Sequence, residues 1–254
     1  MPGHVRIGCS GWSYAHWRGR FYPEKLPGRD HFAFYAQHFD TVELNNSFYR
    51  QPPVERFVAW RAQAPPGFLF AVKGSRYVSH IKRLAVEQRS IDRVVEPALG
   101  LGEKLGPILF QFQANFHLDL ARLDRFVGML PDNLRFTVEF RHDSWLVPPV
   151  CELLAKRRIA LCIPDHPKMP KVYEITSDFT YIRMHLPKHG IGYGRRSLEP
   201  WAERIAEWRA RDIDVFVYFN NDMEGHAVKD AARLNELVGE SAEPHPSLSV
   251  RTPD

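Results

Sequence analysis

The stretch RFTVEFR, residues 135–141, alternates strictly between apolar and polar side chains after its first residue. On an extended strand the phenylalanines and valine would share one face, whereas Thr137, Glu139 and Arg141 would share the other. Residues 41–45, TVELN, and residues 179–185, FTYIRMH, repeat this alternation in their central parts. The pattern predicts strands with one apolar face and one face that carries polar and charged groups.

Runs of β-branched or aromatic residues recur eight times along the chain, and amphipathic stretches lie between many of them. The runs lie at residues 5–9, 41–44, 69–73, 108–112, 135–140, 159–163, 179–185 and 214–219. The amphipathic stretches lie at residues 53–64, 87–104, 118–130, 149–156, 199–211 and 227–237. Strands that alternate with helices form parallel sheets, and eight such units favour closure into a barrel.

We therefore predict an α/β fold, a single-domain (β/α)8 TIM-type barrel, over residues 1–238. A doubly wound open sheet is the alternative. Residues 239–254 carry Ser, Pro and Glu with little periodicity, which indicates a loosely ordered C-terminal tail.

The composition restricts where the protein works and what it binds. No apolar run approaches the roughly 20 residues of a membrane helix, and the N-terminus lacks a signal-peptide pattern, so we expect a cytoplasmic protein without a membrane partner. Cys9, Cys151 and Cys162 are far apart and lie mostly in apolar runs, which predicts reduced packing residues. With 34 basic against 30 acidic residues and no basic stripe, specific nucleic-acid binding is not expected.

Many polar side chains fall near the C-terminal ends of the predicted strands, where TIM barrels build their active sites. They are Glu43, Asn45, Lys73, Gln111, Glu139, Arg141, Asp165, Arg183, His185 and Asn220. Because unpaired buried charges are costly, these groups either line a ligand pocket or form a closed salt-bridge network. Glu43 with Lys73 and Glu139 with Arg183 are the pairs that such a network would contain.

Glu43 and Glu139 are predicted to face each other across the barrel axis, which suits acid and base chemistry. One would act as a general base, and the other, kept protonated by burial, as a general acid. Lys73, Arg141 and Arg183 would stabilise an anionic substrate or a developing negative charge. We therefore expect an enzyme, of the hydrolase or proton-transfer type, whose partner is a small anionic or sugar-like molecule.

A metal-dependent isomerase or nuclease is a second hypothesis for the same region. His185, Asp165, His166, Glu139 and Asp222 are the candidate ligands. No metal-binding motif occurs, and arginines beside these residues would repel a cation, so we predict no metal and no cofactor.

A non-catalytic module for a nucleotide or RNA is a third hypothesis, with bases stacked on Trp12, Tyr49 and Trp145. Trp145 is the better ligand candidate, because the aromatic residues between Trp12 and Tyr22 favour a satellite core that pins their loop. The glycine-rich segment at residues 189–197 would place Arg195 and Arg196 near phosphate, with Ser197 as a helix N-cap. A solvated surface lid is the alternative for this segment.

Six longer motifs resemble those of the YecE-like family, the domain of unknown function 72. They are GCSGWSYAHWRGRFYP at 8–23, VELNNSFYRQP at 42–52, FAVKGSRYVSHIKRL at 70–84, LGPILFQF at 105–112, VEFRHDSW at 138–145 and VYFNNDMEGHA at 217–227. The resemblance spans nearly the whole chain and implies a TIM-type barrel of unestablished activity. Its recurrent polar positions match nine of the strand-end residues above (all but Asp165), and they add His80, Asn221 and Asp222 as ligand-binding candidates.

Overall fold

Eight parallel strands pair in chain order and the last pairs with the first, so the sheet closes into a barrel. The computed structural model describes residues 2–239 of the chain. The strands are β1 (Val5–Cys9), β2 (Thr41–Leu44), β3 (Leu69–Lys73), β4 (Leu105–Gln111), β5 (Phe136–Glu139), β6 (Ala160–Asp165), β7 (Phe179–Met184) and β8 (Asp214–Phe219). The predicted barrel is confirmed, and the open sheet is wrong.

Helices connect most of the strands. They are α1 (His31–Tyr35), α2 (Asn46–Tyr49), α3 (Val54–Gln63), α4 (Gln88–Ala98), α5 (Leu120–Val127), α6 (Pro148–Lys156), α7 (Arg195–Ala210) and α8 (His226–Val238). No helix among residues 2–239 is long and apolar enough to cross a membrane. Residues 240–254, which make up nearly all of the predicted tail, lie outside the described residues.

Two apolar clusters separate the two faces of the strands. The larger one contains Val42 and Leu44 of β2 together with buried helix residues, so this face packs under the helices. The smaller one contains Ala71, Cys162 and Tyr181 from strands on different sides of the barrel, so it fills the interior. The alternation of β2, β5 and β7 therefore places their polar residues inside, as predicted.

Strand β6 corrects one expectation about the inner face. Ala160 and Cys162 belong to the interior cluster, so Asp165, an odd number of residues further on, has the opposite parity. Its carboxylate is hydrogen-bonded to the ammonium group of Lys171. Asp165 therefore lies at the end of its strand, but its side chain does not share the inner face of the barrel with the other strand-end polar residues, as we had expected.

The loop between β1 and α1 forms a packed aromatic cluster, in agreement with the satellite-core interpretation. Trp17 and Tyr22 are buried, and the ring of Tyr22 stacks on His31 at 4.0 Å between centroids. The indole of Trp12 contacts Phe32 edge-on at 5.1 Å. These rings hold the long loop against the barrel.

Helix α7 begins earlier than the sequence indicates. Its N-cap is Gly194, and the hydroxyl of Ser197 donates to the carbonyl of Gly194 over 2.7 Å from within the first turn. Arg195 pairs with Glu199 one turn further along the helix. Ser197 is therefore not the N-cap, because the helix already includes the two arginines.

Gly8→Ala is expected to destabilise the barrel by about 1–3 kcal/mol, because the added methyl overpacks the interior. An ideal Cβ at Gly8 would lie 2.2 Å from the carbonyl oxygen of Thr41, and a backbone atom cannot rotate away. Urea denaturation followed by circular dichroism measures the change. Gly28→Ala is the control, since its Cβ meets nothing within 4 Å; equal stability of the two variants would contradict the prediction.

Candidate functional site

A buried guanidinium joins three strands inside the barrel. Arg183 of β7 donates from Nη2 and Nε to the two oxygens of Glu43 of β2, over 2.8 and 3.0 Å. Its Nη1 donates to Oε2 of Glu139 of β5 over 2.8 Å. The side chains of all three residues are at most 1% exposed. Because these strands are not neighbours in the sheet, the contacts must cross the barrel interior.

The two carboxylates accept further hydrogen bonds from other side chains. The hydroxyls of Tyr181 and Ser10 each donate to Glu43 over 2.7 Å. The Nε of Arg141 donates to Oε1 of Glu139 over 2.7 Å. We refer to Arg183, Glu43, Glu139, Tyr181 and Ser10 as the ionic layer.

The charges in the ionic layer stabilise one another. Burial alone would raise the pKa of both carboxyl groups, but the guanidinium of Arg183 together with the neighbouring charges and hydrogen-bond donors outweighs burial. The pKa of Glu43 is therefore lowered, and that of Glu139 lies well below its usual range. Both glutamates are ionised at neutral pH. These lowered pKa values do not agree with the expectation that burial keeps one of the two glutamates protonated as a general acid.

His185 lies at the upper edge of this layer and is neutral. Burial lowers its pKa, although the nearby carboxylate of Glu139 opposes the shift. Its Nδ1 lies 3.1 Å from the amide nitrogen of Asn220, which donates to it, so the ring proton belongs on Nε2. That nitrogen lies 3.5 Å from Oε2 of Glu139, too far for a well-formed hydrogen bond.

Lys73, at the end of β3, is a partly exposed cation above the ionic layer. Its Nζ lies 4.2 Å from the centroid of the Phe48 ring. No carboxylate oxygen of residues 2–239 lies within 4 Å of it. Burial, followed by repulsion from Arg183, lowers the pKa of Lys73 to about 8. The expected pair of Glu43 with Lys73 therefore does not form.

Arg141 is the second cation at this end of the barrel, and its side chain is 26% exposed. Only its Nε is engaged, with Glu139, and in the described part of the chain its two terminal nitrogens have no acceptor. A guanidinium with free terminal nitrogens can receive a carboxylate or phosphate in a bidentate manner.

His80 occupies a short π-helical turn, Tyr77–Ile81, after β3. Its ring contacts the edge of Phe48 at 4.9 Å, and its Nδ1 lies 2.9 Å from the hydroxyl of Ser79. Burial and the charge of Lys73 lower the pKa of His80 to about 4. Lys73 and His80 thus both contact the ring of Phe48. His80 is neutral at physiological pH.

Asn45 and Gln111 are the two amide residues among the polar side chains that follow the inner face of β2 and β4. Asn45 donates to the carbonyl of Ser10 over 3.1 Å, and its Oδ1 is buried without a partner among residues 2–239. Gln111 donates to the carbonyl of Phe112 over 2.7 Å. Asn45 therefore retains an acceptor that a ligand hydroxyl could satisfy.

Trp145 packs in the protein instead of lining the mouth of the barrel. Its ring is wholly buried and lies parallel to Phe140 at 4.4 Å between centroids. Its indole nitrogen donates to the carbonyl of Phe116. This ring offers no face to a ligand, in contrast to Tyr49, which is 73% exposed. The sequence does not reveal this, because Trp145 lies in the loop after β5, at the same end of the barrel as the inward polar residues.

Asn221 and Asp222 hold loops together beside the mouth. The amide of Asn221 donates to the carbonyl of Ile191 and to the buried carboxylate of Asp230, over 3.1 and 2.9 Å. The backbone carbonyl of Asp222 accepts from the indole of Trp17 over 3.0 Å. Both residues fix the loops after β1 and β7.

The candidate metal ligands do not come together as a set. Within residues 2–239 no group of three His, Cys, Asp or Glu side chains is placed to hold a metal ion. Asp165 is paired with Lys171, and Asp222 lies 3.7 Å from His16. Arg183 and Arg141 both contact Glu139, so the environment of this carboxylate disfavours a cation.

A separate cavity of about 270 Å³ lies at the ends of β6 and β7. We had not predicted a second pocket at this position. Its lining includes Asp165, Lys171, Leu186 and Lys188.

Phe48 is a further site residue that the sequence did not point to, because it follows the strand and has no polar group. Tyr181 and Ser10 were recoverable, since both have the parity of the inward residues.

Comparisons with known proteins agree with this fold. A family model described as "Protein of unknown function DUF72" matches residues 6–253. UPF0759 protein YunF of Bacillus subtilis is 26% identical, with 92% of this chain and 94% of YunF covered. UPF0759 protein YecE of Escherichia coli K12 is 29% identical, with 80% and 82% covered.

Solved structures show the same likeness. A DUF72 family protein of Thermotoga maritima superposes with a TM-score of 0.81 at 28% identity, covering 92% of this chain and 99% of that protein. A DUF72 family protein of Enterococcus faecalis has a TM-score of 0.78 at 21% identity, with 92% and 95% covered.

Arg183→Met is expected to lower the free energy of unfolding by about 3–5 kcal/mol, because it leaves two buried carboxylates without their partner. Urea denaturation at neutral pH measures the loss. Arg195→Met removes an exposed arginine of an i,i+4 pair and is expected to change stability by less than about 0.5 kcal/mol. An Arg183→Met protein as stable as the parent would show that the ionic layer is not sealed.

The lowered pKa of Glu139 predicts a specific acid sensitivity. A group with a lowered folded-state pKa stabilises the protein fully above its unfolded pKa, about 4.3 for glutamate, and this stabilisation is lost as the pH falls below that value. Glu139→Gln is therefore expected to show a shallower loss of stability below about pH 4.3. Denaturation curves at several pH values, with the exposed Glu55→Gln as control, measure this slope; parallel curves for Glu139→Gln and the parent would contradict it.

Proposed function

The chain belongs to the DUF72 family, and we propose that it is an enzyme acting on a small anionic or polyhydroxylated substrate at the C-terminal mouth of the barrel. Proton transfer or hydrolysis is the reaction class. A cytoplasmic location is part of the proposal and is supported by the free, largely buried cysteines.

One observation carries the proposal. Lys73 and Arg141 lie partly exposed near strand ends, beside two buried carboxylates whose charges Arg183 and Arg141 together already balance. The central charges are two negative, Glu43 and Glu139, and three positive, Lys73, Arg141 and Arg183, which leaves one positive charge in excess. A partly buried cation without a counter-ion is costly, and an anionic ligand would remove that cost.

The reacting group in this proposal is Lys73. General acid and base catalysis is most efficient when the pKa of the group lies near the working pH, and a value of about 8 satisfies this condition. The two glutamates have no free oxygen and no exposed surface, so they orient Arg183 and Arg141 and do not exchange protons with substrate. The acid and base role that we assigned to them passes to the lysine.

The other ring residues would select the substrate. Arg141 would bind a carboxylate or phosphate with its free terminal nitrogens. Asn45, Gln111, His80 and Asn220 are uncharged hydrogen-bonding groups that suit hydroxyls. For the nucleotide-binding alternative, two of the three expected stacking residues are packed against the protein, so we do not pursue it.

Anionic sugar-like probes are expected to bind through the two cations. Glucose 6-phosphate and glycerol 3-phosphate should raise the melting temperature, whereas glucose should have a smaller effect. Lys73→Met and Arg141→Met should each weaken binding of the phosphates on the order of 10- to 100-fold, as expected for loss of a charge-assisted hydrogen bond. The affinity should also fall as the pH rises through about 8, because Lys73 loses its charge.

Titration calorimetry and thermal shift measure these effects. Lys82→Met is the matched control, because Lys82 is an exposed lysine in the same segment, with its Nζ 5.8 Å from the centroid of the Tyr77 ring. No response to either phosphate, or binding that neither variant weakens, would contradict the proposal.

A further inference from the structure

The surroundings of Lys73 differ from those of a lysine that only neutralises an anion. Its Nζ lies 4.2 Å from the centroid of the Phe48 ring, and the charges that act on it are the guanidinium groups of Arg183 and Arg141 and the carboxylates of Glu43 and Glu139. Among residues 2–239 no carboxylate forms an ion pair with it. Burial, followed by repulsion from Arg183 and Arg141, favours the uncharged amine, which is the nucleophilic form, and outweighs the opposing charges of Glu43 and Glu139.

The position of the amine is well determined. Lys73 is the last residue of β3 and pairs with Leu109 of β4. Its carbonyl accepts a hydrogen bond from the hydroxyl of Ser47 over 2.6 Å, which anchors the strand end to α2. The backbone of Lys73 is therefore held at the C-terminal end of the barrel, and the contact with the buried Phe48 ring restricts the position of its nitrogen.

We propose that Lys73 forms an imine with a small carbonyl compound that carries a carboxylate or phosphate group, and that Arg141 holds this anion. The inference rests on the proposed function, since it names the substrate class and the covalent chemistry of the same site. Imine formation withdraws electrons from the carbon next to the former carbonyl, so it facilitates the proton transfer proposed above.

The step balances without an oxidant or a further reactant. The Nζ lone pair of the neutral amine forms a bond to the carbonyl carbon, and the C–O π electrons move to oxygen, which takes up a proton. Water then leaves with the C–O bonding pair, and nitrogen forms the C=N bond. The sum is one ammonium group and one carbonyl giving one protonated imine and one water, with the charge unchanged. His80, neutral and on the same Phe48 ring, is placed to relay protons between nitrogen and oxygen.

The uncharged fraction of the amine supports this role. With a pKa of about 8, roughly one Lys73 in ten is neutral at pH 7. For an ordinary lysine with a pKa of about 10.4 the neutral fraction is roughly one in 2,500. The neutral fraction of Lys73 is therefore on the order of 100-fold larger than that of a surface lysine, which favours its reaction with a carbonyl group.

Reductive trapping tests the inference on the full chain. The protein is incubated at neutral pH with pyruvate or with dihydroxyacetone phosphate, borohydride is added, and intact mass and peptide mapping locate the product. The two probes distinguish a carboxylate from a phosphate as the preferred anion. Lactate, which has no ketone, is the chemical control.

We expect one adduct per chain, located at Lys73, with labelling on the order of 100-fold above that at Lys82. Lys73→Met should abolish this adduct, Lys82→Met should retain it, and Arg141→Met should reduce its formation at low probe concentration. Circular dichroism confirms that each variant is folded. Because Lys73→Met is close in length to the parent side chain, loss of the adduct in a folded variant identifies the nitrogen.

Two results would overturn the inference. One is labelling spread evenly over surface lysines, and the other is no adduct at Lys73 with either probe. If trapping fails but phosphates still bind through Lys73 and Arg141 in the calorimetric experiment, the imine proposal is wrong and the proposed function still holds. If neither binding nor trapping occurs, both are wrong.

Discussion

The guanidinium of Arg183 is the constraint on which the rest of the site depends. It lies in the barrel interior, at a level where TIM barrels usually pack branched apolar residues, and it forms three short hydrogen bonds to carboxylates of two opposite strands. Charges in such a place are tolerated only when they are paired and hydrogen-bonded, and Tyr181, Ser10 and Arg141 supply further donors to the two carboxylates. The ionic layer therefore behaves as part of the core.

This layer determines the chemistry of the surface above it. Since Arg183 engages Glu43 and Glu139, neither carboxylate is left to pair with Lys73. The lysine instead packs on Phe48, and burial, followed by repulsion from Arg183, lowers its pKa to about 8. Arg141 spans both levels, because its Nε belongs to the buried network while its terminal nitrogens face the mouth. Because Arg183 and Arg141 pair with the buried carboxylates, Lys73 has no carboxylate partner among residues 2–239.

Most of the fold could be read from the chain. The eight runs and their alternation predicted the eight strands, with boundaries that differ by three residues or fewer. The largest difference is at β4, which begins at Leu105 because Gly106 and Pro107 join the strand instead of ending it. The alternation also placed Glu43, Glu139 and Arg183 on the inner face. It failed at β6, where the interior residues Ala160 and Cys162 are too small and apolar to mark their face.

The sequence by itself determined the barrel, the inner face of the strands with alternating polar residues and the end where polar groups collect, because these follow from the two-residue period of a strand and from local helix patterns. Only the tertiary structure decided which charges pair, which remain free and which ring is buried. Glu43 and Arg183 are 140 residues apart in the chain, and closure of the barrel brings them within 2.8 Å. Electrostatic energy depends on such distances and on burial, so the roles of lysine and glutamate emerged only from the closed structure.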